Sequence, residues 1–338
     1  MDLKSGKPFI IAEISANHGG ELENCLKLIE IAKKLGADAV KFQSYSGNTI
    51  TLDSSKKDFL LPEESPWGNY KNLYNLYESA KTPLNWFPEL LKFANEINIL
   101  SLSSVFSEKE VDFLQTLNIS AYKVASPEIN NSTLIRKIAS TNKPIILSLG
   151  VASKQDLDNA LKTISEISNN LVVVMQCDTS YPGLPENCNL ALLDELKKIP
   201  EVILGYSDHT ITNVSAIVAV AKGARIFEKH LKLDSIGETP DSFFSASEAQ
   251  FASYVKEIHL AYASIGEAKF RHNSDDQISH VSIYPVRKIF KGTLFTDDNL
   301  RIIRPGLSLH PKYISKLIGS IAKFDYEPGD RIRLEEIS

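Results

Sequence analysis

Two histidines close neighbouring apolar runs, each with a carboxylate beside it. Asp208-His209 ends VILGYSDH, and Glu228-Lys229-His230 ends ARIFEKH; a third acid, Asp241, follows eleven positions later. If both runs are strands of one parallel α/β sheet, their ends point the same way and the histidines lie side by side at one mouth. Two neutral imidazoles with carboxylates nearby suit a borderline divalent ion such as Mn or Fe. A buried histidine taken alone is as readily structural as ligating. The matched placement of two favours a metal.

The other apolar runs also end in polar residues. In order these are Glu13, Asn17 and His18; Lys41 and Gln43; Ser103 and Ser104; Lys123 and Ser126; Ser148; Cys177, Thr179 and Tyr181; and Ser207. Lysine is seldom fully buried without a partner, yet Lys41, Lys123 and Lys229 each interrupt an apolar run. Two inward lysines among several hydroxyls make a cradle for an anionic phosphate. Each lysine could instead snorkel outward between helices, or serve as a Schiff-base amine as in class I aldolases. The paired histidines favour the metal.

The elements that must position these groups are eight short runs: 8–15, 37–44, 97–106, 120–126, 143–150, 170–178, 201–209 and 223–230. They are continuously apolar and rich in Val and Ile, as strands buried on both faces are. Helical periodicity follows most of them. In the first helix Leu22, Cys25, Leu26, Ile29 and Ala32 mark one face and Gly36 supplies the stop; further amphipathic segments fall at 107–116, 130–140, 153–168, 189–198 and 212–222. Eight strand–helix units predict an α/β fold, a (β/α)8 TIM barrel closing near residue 265, with its site at the strand C-termini. A doubly wound sheet is the architectural alternative.

Residues 45–96 are far longer than an ordinary crossover. They carry aromatics at 67, 70, 74, 77 and 86 and a helical stretch from 72 to 94, and they are expected to cover the substrate. Residues 267–282 lose periodicity, as a linker does. Residues 283–338 change to short strands and turns, a small domain that is marginal alone. The expected division is therefore a barrel at 1–266, a linker at 267–282 and a C-terminal domain at 283–338.

Composition narrows the class. The chain has 338 residues, 43% of them hydrophobic, enough for a large core, and its net charge of −5 is spread without a basic block. That excludes an electrostatic footprint for nucleic acid. No run approaches the roughly 18 apolar residues of a membrane span, and no signal-peptide order opens the chain. Three cysteines without a C-x-x-C pair argue for a reducing, cytoplasmic setting and against a disulfide or zinc framework.

The ordered motifs A-E-I-S-A-N-H, K-F-Q, Y-K-V-A-S, S-Y-P, G-Y-S-D-H, E-K-H and P-D-S-x-F-S resemble the sialic acid synthase family across essentially the whole chain. That family joins a TIM barrel to a C-terminal antifreeze-like (SAF) domain. Ser15-Ala16-Asn17-His18, LYESAKTP at 76–83 and G-x-x-L-H-P-K at 306–312 look like its pseudaminic acid-making branch; legionaminic and N-acetylneuraminic acid are the products of the other branches. The resemblance implies condensation of phosphoenolpyruvate with an acetamido sugar, here 2,4-diacetamido-2,4,6-trideoxy-L-altrose, with release of phosphate.

It further implies His209 and His230 as ligands of a divalent metal, Mn2+ first and Mg2+ or Co2+ as alternatives. Lys41, Lys123, Ser126, Ser148 and Ser207, with Ser104 and Thr179, are implied to hold phosphoenolpyruvate. Glu13, Tyr181 and Asp241 are implied to act around the reacting carbons, and Asn17 and Gln43 to touch the sugar. Arg304 is implied to reach the partner's site in a homodimer with swapped C-terminal domains. Four positions depart from the family pattern: Val105 for Pro, Leu231-Lys232 for Phe-Thr, and Asp178 for Thr, the last adding a negative charge near the phosphate cradle.

Overall fold

The structure, a computed structural model, describes residues 6–270 and 278–337. Eight parallel strands close into a barrel in sequence order: β1 Phe9–Glu13, β2 Ala39–Ser44, β3 Leu100–Val105, β4 Ala121–Val124, β5 Ile145–Ser148, β6 Val172–Cys177, β7 Val202–Asp208 and β8 Ile226–His230. The closing pair is β1 with β8, in register from Phe9–Ile226 to Glu13–His230. Each of the eight apolar runs contains one strand, so the doubly wound alternative is discarded.

Side chains alternate across a strand, and the alternation sorts the strands into two cores. One set packs outward against the helices, with Ile10, Val40, Tyr122, Val174 and Phe227 among its members. The other fills the barrel axis, with Phe9, Ile11, Leu102, Ile146, Val173 and Met175. Gly205 sits level with Met175, where a Cβ would approach its Cγ to 2.8 Å. The missing side chain is what lets the barrel close around the methionine.

The first helix, α1 Leu22–Lys34, buries Cys25, Leu28, Ile29 and Ala32, while Leu22 and Leu26 pack only partly. The buried stripe is thus rotated towards Leu28 relative to the expected face. Gly36 stops the helix with φ 93°, a left-handed conformation glycine adopts without a Cβ penalty.

The long interval after β2 is not one helix. It holds α2 Gly47–Ile50, α3 Leu73–Ala80 and α4 Phe87–Glu96, with single 3-10 turns at Lys57–Phe59 and Leu84–Trp86. Asn72 caps α3 by accepting from the Asn75 N–H at 2.9 Å. Pro83 stands just past its end, where proline disfavours helix in the preceding residue. Only α4 packs as the barrel's own layer, burying Phe87, Leu90, Leu91 and Ala94.

The chain divides into two compact units, Met1–Gly266 and Glu267–Ser338. In the second, β9 Ser282–Pro285 pairs antiparallel with β10 Leu300–Ile303, over a separate core that includes Ile283, Phe295, Leu300 and Leu317. Pairing begins at Ser282, the last residue of the expected linker; positions 271–277 of that linker lie outside the described residues.

Candidate active site

The polar residues collect where the inward alternation reaches the strand C-termini. Above the apolar layer of Ile11, Ala39 and Leu102 come Glu13, Lys41 and Ser104. Strand register places Glu13 level with both Lys41 and His230, Ser104 level with Lys123, and Ser207 level with both Cys177 and Glu228. Lys41, Ser104, Lys123, Cys177, Ser207 and Glu228 line a cavity of about 550 Å³ that also takes in Gln43, Ser126, Ser148, Thr179, Tyr181, His209 and His230, while Glu13 is buried behind Lys41 and Gln43.

The two inward lysines are paired with carboxylates. Lys123 Nζ lies 2.6 Å from Glu228 Oε1, and Lys41 Nζ lies 3.7 Å from the same oxygen and contacts Glu13 Oε2. Ser104 accepts from Lys41 at 3.0 Å and Ser207 donates to Glu228 at 3.2 Å. Burial opposes ionisation of Glu228, but Lys123 and Lys41 outweigh it and hold the carboxyl at about 2. Burial raises Glu13, and the Lys41 ammonium only partly offsets it. Lys123 is lowered by burial against the pull of Glu228. Glu13 and Glu228 balance Lys41 and Lys123, so a dianionic phosphate would meet donors whose charges are already compensated.

His209 and His230 face each other across the mouth, ring centroids 5.5 Å apart. The His209 Nδ1–H donates to the Asp178 carbonyl oxygen at 2.5 Å, which turns Nε2 and its lone pair the other way. His230 Nδ1 is buried without a partner. Burial lowers His209 to about 4 and His230 well below the usual range, so both imidazoles are neutral near pH 7. Neutral rings with free ring nitrogens are the form a divalent metal takes as ligands. Among the described residues no cluster of three or more His, Cys, Asp and Glu could hold an ion. The protein would contribute these two donors and leave the remaining positions to water and substrate.

Asp208 does not join them. It faces outward, where its carboxylate lies 3.1 Å from Lys229 Nζ, which also sits 5.2 Å from the Tyr254 ring centre. Lys229 is therefore the outward lysine of the three, and the carboxylate inside is Glu228.

Around this centre, Tyr181 lies 4.5 Å from His209 and 4.8 Å from Phe244, centroid to centroid. Gln43 donates to Glu13 Oε1 at 2.9 Å. Asp241 accepts from Ser15 Oγ and from the Ala16 N–H; burial raises its carboxyl. Asn17 does not line the cavity as expected of a sugar contact. Its amide donates to Leu231 O and Ser245 Oγ and accepts from Thr239 Oγ1, which fixes the segment bearing Asp241. Arg304 is exposed in the second unit, just after β10.

The departures from the family pattern leave the cradle intact. Asp178 is not among the residues that line the cavity; its Oδ1 accepts from Ser180 N–H and Oγ, both at 3.2 Å, and its Oδ2 is buried without a partner. Val105 and Leu231 sit in the outer core. Lys232 donates to the Ser242 carbonyl.

Sequence reasoning missed several lining residues. Glu228 was legible only as a neighbour of His230. Tyr45, Phe106 and Glu128 also line the cavity, and burial lifts Glu128 to about 7. Gly150 backs two of the lining residues: a Cβ there would come within 2.5 Å of Ser126 Oγ and Thr179 Cγ2.

Residues 28–270 match the NeuB family and residues 280–338 match the SAF domain. The chain belongs to the NeuB family. A curated relative of this NeuB-family chain, the pseudaminic acid synthase of Campylobacter jejuni subsp. jejuni serotype O:23/36 (strain 81-176), is 38% identical over 330 residues, 97% of this chain and 96% of its own. The Helicobacter pylori (strain ATCC 700392 / 26695) pseudaminic acid synthase is 36% identical over 319 residues, 93% of each chain. Among solved structures, the N-acetylneuraminic acid (sialic acid) synthetase of Leptospira borgpetersenii serovar Hardjo-bovis, in complex with citrate, superposes with a TM-score of 0.70 at 30% identity, over 80% of this chain and 90% of that one.

Proposed function

We propose that this protein is a pseudaminic acid synthase, condensing phosphoenolpyruvate with 2,4-diacetamido-2,4,6-trideoxy-L-altrose to a nonulosonic acid and phosphate. The observation that carries this is the one cavity in which Lys41, Lys123 and the serines stand beside the His209–His230 pair. Two curated relatives are pseudaminic acid synthases, which supports the same product here.

In the reaction, C3 of phosphoenolpyruvate attacks the aldehyde carbon of the open-chain sugar and forms the new C–C bond. Positive charge develops at C2, water adds there, and the tetrahedral intermediate loses phosphate to leave a 2-keto acid. A divalent metal, with Mn2+ the first candidate, would supply Lewis-acid polarisation of the aldehyde oxygen when held by His209 and His230. Lys41, Lys123, Ser126, Ser148 and Ser207, with Ser104 and Thr179 at the margin, bind the phosphate and carboxylate of phosphoenolpyruvate. Glu13 stabilises the cation at C2 or takes the proton of the attacking water, a task its raised pKa suits. Gln43, Tyr181 and Asp241 orient the sugar. The reading places the reaction in the cytoplasm, which the three cysteines without a C-x-x-C pair support, and includes a homodimer in which Arg304 reaches the neighbouring copy's site, which the sequence resemblance supports.

The test is phosphate release with phosphoenolpyruvate and Mn2+ on three sugars, with and without chelator, products read by mass spectrometry. The sugars are the altrose-type diacetamido trideoxy hexose, its manno counterpart and N-acetylmannosamine. Chelator-sensitive turnover of the first alone is expected. Preference for either other sugar would reassign the product to legionaminic or N-acetylneuraminic acid and keep the chemistry.

A further inference from the structure

A second cavity of about 290 Å³ adjoins the first. It is lined by Gln43, Tyr181, His230 and Asp241 and by Trp67, Leu76, Tyr77 and Ala80 of the long insertion. Leu76 and Ala80 share one face of α3 by their i, i+4 spacing and are 7% and 8% exposed. The insertion's polar groups nearby are already engaged. Trp67 Nε1 donates to the Pro240 carbonyl, and Glu78 accepts from the Gly47 N–H at 2.6 Å and from Lys81. The phenols of Tyr45 and Tyr77 also belong to its lining.

We propose that this recess selects the sugar: Leu76, Tyr77 and Ala80, closed over by Trp67, receive the methyl-bearing C5–C6 end of a 6-deoxy acetamido sugar. The inference rests on the proposed synthase reading and adds which residues discriminate. The reacting aldehyde must lie by the two histidines, so the far end of a six-carbon open chain points towards α3. A C6 methyl buries apolar surface there. A C6 hydroxyl loses water and has only the phenols of Tyr45 and Tyr77, whose rings meet edge to face, to replace it, a penalty of the kind that separates close analogues in apolar pockets by about 10- to 100-fold. Three of these residues lie in or beside LYESAKTP, so the segment singled out by sequence is also the one that forms the recess wall.

The experiment compares kcat/KM for the 6-deoxy sugar and its 6-hydroxy counterpart, using the full chain with saturating phosphoenolpyruvate and Mn2+. The wild type is expected to favour the 6-deoxy sugar by about 10- to 100-fold. Leu76→Asn is expected to reduce that ratio about tenfold with the KM for phosphoenolpyruvate unchanged. Ala80→Ser, a smaller change on the same face, is expected to move it in the same direction and covers the case that Leu76→Asn does not fold. Equal use of the two sugars by the wild type, or an unchanged ratio in a folded, active variant, would overturn the recess as selector. Turnover of N-acetylmannosamine ahead of both would overturn the pseudaminic reading beneath it while keeping the synthase chemistry, a result distinguishable from the other two.

Discussion

Trp67 Nε1 donates to the carbonyl oxygen of Pro240 at 2.8 Å, bridging 173 positions of sequence. The bond ties the insertion after β2 to the segment after β8, and the indole edge also meets Tyr181 and Phe243. Trp67→Phe keeps a ring and deletes the bond. A net hydrogen bond of about 1 kcal/mol corresponds to a rise of about fivefold in the KM for sugar. Trp67→Ala should raise it further, and neither should move the KM for phosphoenolpyruvate. A matching rise for both substrates would mean that the indole only supports the fold.

Removing one member of the buried ion cluster should be costly. Glu228→Gln leaves Lys123 and Lys41 undercompensated, a loss of about 3–5 kcal/mol for a buried pair broken from one side. Lys123→Met with Glu228→Leu should recover much of that stability and none of the turnover. Denaturant midpoints and phosphate release on the three proteins test both halves. Stability that falls additively would contradict the pairing.

A metal dependence should be traceable to two side chains. Chelation is expected to abolish turnover and Mn2+ to restore it, while His209→Ala and His230→Ala lose Mn2+ binding in an EPR titration. Asp178 contributes through its backbone carbonyl and is not among the residues that line the cavity, so Asp178→Asn should bind Mn2+ nearly as well as wild type. Retained Mn2+ affinity in both histidine variants would remove them from the metal.

Glycine at 150 is a steric requirement. Gly150→Ala would drive a methyl group into Ser126 and Thr179. The KM for phosphoenolpyruvate should rise about tenfold or more, with circular dichroism unchanged, if a shift of this size in positioning costs what small misplacements usually do. An unaltered KM would place the phosphate elsewhere.

Acid should loosen the barrel mouth through His18. Its Nδ1 accepts from the Gly20 N–H at 3.0 Å, its Nε2 lies 3.3 Å from Thr82 Oγ1, and burial lowers it to about 4. The unfolded chain protonates this ring near 6.5 and the folded chain only near 4. Between those values the unfolded state binds more protons, so stability is complete above about 6.5 and is lost as pH falls. The contribution is about 3 kcal/mol at most. Urea midpoints at pH 6.5 and 4.5 should diverge less in His18→Gln than in wild type; an equal fall would assign the effect to other groups.

The barrel was legible because strands buried on both faces are written as unbroken apolar runs, and its site because polar residues appear only where those runs end. The lysines were visible for the same reason. Their partners were not, since Lys123 and Glu228 are 105 positions apart and nothing local couples them. Asp208 and His209 read as a joint pair because adjacency in sequence hides the fact that neighbours on a strand face opposite ways. Asn17 carried the chemistry of a ligand contact, yet its three bonds go to a segment more than 200 residues away. The split of the insertion into α3 and α4 was signalled by Pro83 and masked by the continuous apolar periodicity on either side.

At the C-terminal ends of β7 and β8 the residue serving the centre and the residue anchoring the wall are immediate neighbours, Asp208 beside His209 and Lys229 beside His230. The two functions therefore cannot drift apart by insertion or deletion. Loss of one residue within either strand would point a lysine or an aspartate at the substrate and an imidazole at the helices, exchanging both roles in one step. Change at these positions is confined to substitution, while the loops that follow them remain free to lengthen.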